Sequence, residues 1–194
     1  MRFSKLFILI FFGNSFQYAS GVDLIHDTST LDQVRIEINQ VYNYQFDSAN
    51  NTLVYLQNTY PNHPVTPFFE GLIYYWKYYP LISGKPGAGE FEQVMEETWQ
   101  RSRILKEYGN QTEGVFFELM SRAFIVMYHA DNGRSSKAIS HLGKIYRDIL
   151  ASFDLQENFI EFFFITGLYN YYREAYPEAH PVYKPAAVFF RRGD

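Results

Sequence analysis

The sequence predicts an all-α fold, a right-handed solenoid of antiparallel helix hairpins with about seven helices. Apolar residues recur at three- and four-residue spacing in successive segments, which proline, glycine and asparagine separate. In addition, the phrase GLIYYWK at residues 71–77 returns ninety-six positions later as GLYNYYR at residues 167–173. Self-similarity at a fixed period is typical of helical repeats whose units pack on their neighbours. A helical bundle without a repeat is the alternative.

The first hairpin consists of predicted helices at residues 31–44 and 48–58. Apolar residues at i, i+4 and i+7 define one face of the first helix. Its N-cap is expected within residues 28–30, whose hydroxyl groups can accept an unpaired backbone N–H. The second helix ends before Pro61, because proline cannot continue the hydrogen bonding of a helix.

The second hairpin joins predicted helices at residues 67–79 and 90–108. Pro67 suits the first turn of a helix, where its missing N–H costs nothing. Residues 80–89 are rich in glycine and proline and are predicted to be a plain connector. Gly109 follows the fourth helix in the position of a C-cap.

Three further helices are predicted at residues 112–130, 137–153 and 157–175. A five-residue turn joins the first two, so they should form an antiparallel pair. The third is apolar nearly all round, which predicts that it is buried between neighbours. Gly71 and Gly167 are expected at close helix crossings, because a glycine inside a helix otherwise costs about 1 kcal/mol relative to alanine.

The first twenty residues have the order of a secretory signal. Arg2 and Lys5 precede an apolar run at residues 6–12, and small residues follow. This run is too short to cross a bilayer, which needs about 20 residues, so no transmembrane segment is expected after cleavage. We expect cleavage between Ala19 and Gly21, with an uncleaved N-terminal anchor as the alternative. The chain then divides into a signal peptide, residues 1–20, and a helical domain, residues 21–194, exported to the periplasm or the extracellular space.

The composition narrows the classes of partner. The chain has 17 basic and 21 acidic residues and no cysteine. Without disulfides, its stability must come from the packed core alone. No basic stripe suited to a phosphate backbone is present, so a nucleic-acid partner is not expected. Aromatic residues make up 20% of the chain, with 17 tyrosines that each combine an apolar ring with a polar tip.

The sequence lacks the common catalytic motifs. It contains no Gly-x-Ser-x-Gly, no His-Glu-x-x-His and no cysteine nucleophile. We therefore expect no enzyme, no catalytic or metal-binding residues and no cofactor. His129 and His141 flank one turn and could approach each other with Asp131, but their spacing is not that of a helical metal pair.

Residues 30–175 resemble the tetratricopeptide repeat, a helix-turn-helix unit of 34 residues. Residues at the family's spacing are Phe46, Ala49, Leu53, Leu56 and Pro61 in the first unit, Gly71 and Tyr74 in the second, Ala138, Leu142 and Ile145 in a third, and Gly167 in a fourth. Glu37 stands where the family has a small residue, Glu70 where it has leucine, and residues 80–89 form an insertion. The match is strong in the first unit and loose in the other three.

The resemblance implies a concave surface, made by the first helix of each hairpin, that holds peptides or other proteins. We therefore expect an exported scaffold or adaptor that binds a peptide or an envelope protein. Aromatic side chains of the first helices are the expected anchors: Tyr42, Tyr74, Tyr78, Tyr128 and Tyr171. The alternative function is a small-ligand or glycan-binding component of an envelope uptake system, in which Trp76 and Trp99 belong to a cavity.

The C-terminal region lacks the polar terminal unit that helical arrays need. Prolines follow the seventh predicted helix, and residues 186–190 are apolar. An apolar face left uncovered should cause self-association. One explanation is a domain truncated at its C terminus. The other is that residues 177–190 fold back to cover the seventh helix.

Overall fold

The computed structural model describes residues 23–157 and 159–188, and these residues form helices and turns without a strand. The predicted signal, residues 1–20, and the last six residues lie outside this range. The helices are α1 (Thr28–Tyr42), α2 (Phe46–Thr59), α3 (Val65–Lys77), α4 (Ala88–Tyr108), α5 (Gln111–Asp131), α6 (Ser135–Asp154), α7 (Glu161–Glu174) and two single turns, α8 (Tyr176–Ala179) and α9 (Lys184–Ala187). Short 3-10 turns lie at Leu24–His26 and Pro181–Tyr183. The prediction of an all-helical fold is confirmed for the described residues.

The N-terminus of α1 lies earlier than predicted, because the cap is Asp27 and not a residue of 28–30. The Asp27 carboxylate accepts a hydrogen bond from the backbone N–H of Thr30 at 3.3 Å and another from the Thr30 hydroxyl at 2.5 Å. The hydroxyl of Tyr60 donates to the same carboxylate at 2.9 Å. The hydroxyl of Thr30 thus supports the cap instead of forming it, and Asp27 ties the start of α1 to the end of α2.

Neighbouring long helices run antiparallel. The ring of Tyr75 on α3 lies 5.6 Å from that of Phe91 near the start of α4. Along the α4–α5 pair, Lys106 binds Glu118 at 2.6 Å, and the guanidinium of Arg122 lies 3.6 Å from the ring of Trp99. The contact that lies nearer the start of α4 lies nearer the end of α5. This order is that of an antiparallel hairpin.

The apolar core of the described residues lies in two clusters. The larger packs α1 to α5 together around the buried side chains of Phe69, Phe91 and Tyr128. The smaller joins α5, α6 and α7 through Val115, Ile149 and Phe162 and their neighbours. Helix α5 contributes to both clusters and is therefore the central element of the fold.

Helix α7 is not buried all round, contrary to the prediction. Phe162 and Ile165 face the core, whereas Phe163 and Phe164 are 58% and 65% exposed. Its main packing partners are α6 and the short helix α8, so the opposite side meets solvent. The apolar residues around α7 therefore did not predict how many helices pack against it.

The two glycines of the repeated phrase have different surroundings. A Cβ on Gly71 would overlap the end of Met95 on α4, so the predicted close crossing is confirmed there. At Gly167, no atom lies within 4 Å of the place a Cβ would take, and the residue is exposed. The predicted crossing at Gly167 is wrong, because the side of α7 that carries it faces solvent.

As far as the structure describes it, to residue 188, the segment after α7 folds back only in part. Pro177 and Tyr183 are buried, and the hydroxyl of Tyr183 lies 3.3 Å from that of Ser135 at the start of α6. This contact leaves Phe163 and Phe164 uncovered. No helix within the described ranges is both long and apolar enough to pass through a membrane.

Candidate functional site

Aromatic rings gather at the C-terminal ends of α1 and α3. The ring of Tyr42 meets Trp76 edge-on at 5.1 Å, and Trp76 stacks on Tyr79 at 5.5 Å. Tyr42 and Tyr79 are 53% and 55% exposed. The three rings hold one another in place and form an open apolar platform.

The indole of Trp76 is the least satisfied group of this platform. Its Nε1 is buried and has no hydrogen-bond partner among the described residues. A buried donor without a partner costs about 1–3 kcal/mol. A water molecule or the acceptor of a bound partner would remove that cost. The apolar platform therefore contains one donor that needs a hydrogen-bond acceptor.

A second pair of rings lies on the outward side of α3. Tyr74 and Tyr78 stack with their centroids 6.5 Å apart, and the ring of Tyr78 packs against Gly87 in the loop before α4. Burial and then the charges of Glu70 and Glu90 raise the pKa of Tyr74. Tyr74 therefore lies beside negative charge, whereas the ammonium of Lys77 lies 5.8 Å from the ring centroid of Tyr78. We call Tyr42, Tyr74, Trp76, Tyr78 and Tyr79 together the aromatic surface.

The five tyrosines expected as anchors fall in three places. Tyr42, Tyr74 and Tyr78 belong to the aromatic surface, and Tyr171 is exposed on α7, on a different part of the molecule. Tyr128 is only 1% exposed, so its assignment as a surface anchor is wrong. It follows Phe124 by one helical turn, on the face of α5 that packs against α4, and its ring lies 5.4 Å from that of Phe91. That spacing was visible in the sequence.

A polar cleft lies between α4, α5 and α6. Its volume is about 420 Å³, and its lining residues are Glu92, Glu96, Ile125, His129, Lys137, Ser140 and His141. The rings of His129 and His141 approach to 5.4 Å, as the sequence suggested. Asp131 is not among the lining residues. In the part of the chain that the structure describes, no group of three or more His, Cys, Asp or Glu side chains could hold a metal ion.

Two buried nitrogens at this cleft have no hydrogen-bond partner in the described structure. They are Nδ1 of His129, a residue only 4% exposed, and Nε of Arg122. Nη1 of Arg122 lies 3.0 Å from Nδ1 of His141 and 3.7 Å from a carboxylate oxygen of Glu96. Burial lowers the pKa of His129, which keeps its imidazole neutral near pH 7.

The charged residues buried in α5 were not predicted from the sequence. Glu113 accepts hydrogen bonds from the backbone N–H of Ile25 and from Nε2 of His63, both at 2.8 Å. Glu118 accepts from Nε1 of Trp99 at 2.7 Å, so Trp99 supports the packing of α4 on α5. Charged side chains are rarely buried unless paired, and the partners lie far away in the sequence. The only local signal was their position on the packed side of an apolar helix.

Comparison with protein-family models, with curated proteins and with solved structures finds no match for the chain. The arguments about its sites accordingly depend on geometry and chemistry alone. Two regions carry those arguments, the aromatic surface and the cleft.

Proposed function

We propose that this protein is a helical-repeat binding module that holds a segment of another protein against its aromatic surface. The observation that carries the proposal is the platform of Tyr42, Trp76 and Tyr79, in which the exposed rings of Tyr42 and Tyr79 are both fixed by contact with the partly buried Trp76. Rigid aromatic side chains supply large contact area at a low cost in conformational entropy, and they are enriched at the energetic centres of interfaces.

The packing of the helices supports a repeat arrangement related to the tetratricopeptide family. Each long helix packs chiefly on its neighbours in sequence, and α1 also contacts α3, as α3 contacts α5. Stacked hairpins produce this pattern, because the first helices of successive units lie side by side. The aromatic surface then belongs to the first helices of the first two units.

The chemistry of the surface indicates which partner would fit. Extended segments rich in proline dock on aromatic rings. Glu70 and Glu90 place negative charge beside Tyr74, and the whole chain has a formal net charge of −4 at pH 7. A partner segment that carries proline together with arginine or lysine would satisfy both the rings and the carboxylates. Export, through removal of residues 1–20, is part of the proposal and would place this partner in the envelope or outside the cell.

Selection from a random peptide library displayed on phage tests the binding proposal. We expect enrichment of proline-containing, basic sequences. Replacing Tyr42 or Tyr79 with alanine should weaken binding of a selected peptide by about thirtyfold or more, because truncation of a central aromatic anchor typically costs about 2 kcal/mol or more. Fluorescence anisotropy of the labelled peptide measures the affinity.

Tyr108→Ala is the matched control, since Tyr108 is an exposed tyrosine at the far end of α4. It should leave the affinity unchanged. A library that yields no binder, or binders that tolerate both Tyr42→Ala and Tyr79→Ala, would overturn the proposal. Export is tested separately by mass spectrometry of the protein from its natural host, where an intact Met1 on the bulk of the material would contradict it.

A further inference from the structure

The geometry points to a second binding site: the cleft between α4, α5 and α6 takes a small zwitterion, with one ammonium and one carboxylate group, of the size of a dipeptide. This inference goes beyond the proposed function, because the cleft shares no residue with the aromatic surface. It also gives the small-ligand alternative from the sequence a definite place, although neither Trp76 nor Trp99, the two residues expected in such a cavity, is among the lining residues.

One wall of the cleft is acidic. Glu92 and Glu96 lie one turn apart on α4 and so project from the same face. Each carboxylate has a long ion pair: Nη1 of Arg134 lies 3.5 Å from an oxygen of Glu92, and Nη1 of Arg122 lies 3.7 Å from an oxygen of Glu96. Strong charge-assisted hydrogen bonds are about 2.7–2.9 Å long. The two carboxylates therefore keep accepting capacity for an ammonium group.

The opposite wall donates hydrogen bonds. Lys137, Ser140 and His141 lie at i, i+3 and i+4 on α6 and share one face. Within the described ranges, the ammonium of Lys137 forms no ion pair closer than 4 Å. Lys137 and the hydroxyl of Ser140 are thus suited to a carboxylate that arrives from outside.

The floor of the cleft requires a polar partner as well. Ile125 and His129 lie one turn apart on α5, and the buried Nδ1 of His129 lacks a hydrogen bond. An amide group in the middle of a ligand can satisfy this nitrogen. A volume of about 420 Å³ falls within the range of sites for small molecules.

The balance of charge favours a zwitterion over a simple ion. An anion without an ammonium group would face Glu92 and Glu96, and a cation without a carboxylate would face Lys137, Arg122 and Arg134. A ligand with both charges avoids each repulsion and pairs with both walls. The neutral imidazole of His129 adds no net charge to the floor.

Isothermal titration calorimetry of the full chain with three related compounds tests the inference. The probes are L-alanyl-L-alanine, its N-acetyl form, which lacks the ammonium group, and its C-terminal amide, which lacks the carboxylate. We expect the free dipeptide to bind, and each blocked form to bind about tenfold more weakly or worse. Equal affinity for all three, or no heat with the free dipeptide at millimolar concentration, would overturn the inference.

Two lysine variants locate the site. Lys137→Met should remove the preference for the free carboxylate, so that the dipeptide and its amide bind alike. Lys85→Met is the control, because Lys85 is an exposed lysine in the loop before α4, and it should behave as the parent protein does. In the parent protein, an N-acetyl form that binds as tightly as the free dipeptide, together with an amide that binds more weakly, would indicate a simple anion site. That result would contradict a zwitterion site. Tyr42→Ala should leave dipeptide binding unchanged. A failure of this inference can therefore be distinguished from a failure of the proposal that the aromatic surface binds a peptide.

Discussion

Single glycines report how closely the helices approach one another. A Cβ on Gly114 would lie 2.5 Å from the backbone nitrogen of Lys106 on α4, whereas a Cβ on Gly143 of α6 would meet nothing within 4 Å. We expect Gly114→Ala to lower the free energy of unfolding by about 1–3 kcal/mol, because a backbone cannot yield as a flexible side chain can. Gly143→Ala should raise it by about 0.5–1 kcal/mol, the gain in helix propensity. Urea unfolding with an unchanged m-value measures both, and a gain in stability from Gly114→Ala would contradict the close α4–α5 contact.

Asp27 gives the protein a characteristic response to acid. Hydrogen bonds from the hydroxyls of Thr30, Ser29 and Tyr60 and from the backbone of Thr30 hold the pKa of Asp27 well below its ordinary value. Because the pKa is lower in the folded state, this residue stabilises the fold above about pH 4 and loses that contribution as the pH falls further. Asp27→Asn should therefore be less stable than the parent at pH 7, with a difference that shrinks toward pH 2. If the urea midpoints of the parent protein and of Asp27→Asn differ by the same amount at every pH in this range, the role of Asp27 is contradicted.

At the scale of elements, a partly buried ionic contact joins three helices. Glu118 on α5 accepts from Trp99 and Lys106 on α4, and Lys106 also binds Asp148 on α6. Burial alone would lower the pKa of Lys106, but its hydrogen bonds to Asp148 and Glu118 outweigh burial and raise it. In Glu118→Gln, the single amide oxygen could accept from only one of Trp99 and Lys106, and the NH2 group would face the other donor at a cost of about 1–3 kcal/mol of stability.

The exposed Glu107 on α4 provides the control for this contact. Glu107→Gln should change the free energy of unfolding by less than about 0.5 kcal/mol. Thermal unfolding followed by circular dichroism compares the two variants. Equal stability would show that Glu118 contributes no more to the fold than a solvated surface carboxylate does.

The positions of the helices were easier to predict than which of their side chains are buried or paired. The 3.6-residue period located α1 to α7, because one buried stripe per helix is enough to produce it. The same pattern placed Tyr128 one turn after Phe124, but it could not show that α4 packs on this side of α5 and buries Tyr128 while Tyr42 stays exposed. Tyr79 was not among the expected anchors, because it was predicted to end the third helix as part of its apolar pattern, whereas the structure places it beyond the last turn of α3 and 55% exposed. Glu118 and Lys106 could not be paired, because their contact depends on how α4 and α5 are aligned.

For the whole molecule, the exposed side of α7 is the surface from which we expect self-association. Phe163, Phe164 and Tyr171 lie on this side and are 58%, 65% and 54% exposed. A contiguous apolar patch of this kind favours contact between proteins. We therefore expect the chain to self-associate at micromolar concentration. Phe164→Gln should shift the distribution toward monomer in sedimentation velocity.

The exposed Ile104 on α4 offers a matched apolar position outside this patch. Ile104→Gln should leave the distribution as it is in the parent protein. A parent chain that sediments as a monomer at micromolar concentration would contradict association through α7. An equal effect of Phe164→Gln and Ile104→Gln would show that the contact is not specific to that helix.

The two tryptophans of the chain lie in different regions, so its intrinsic fluorescence can separate events at the two sites. Trp76 belongs to the aromatic surface, where a docked peptide would change the polarity around its indole. Trp99 lies beneath the guanidinium of Arg122 next to the cleft, and a ligand there would alter its emission through that cation. A Trp99→Phe protein would report only on the first region and a Trp76→Phe protein only on the second. One optical signal, observed in two variants, can thus follow both kinds of ligand in the same solution without any attached label.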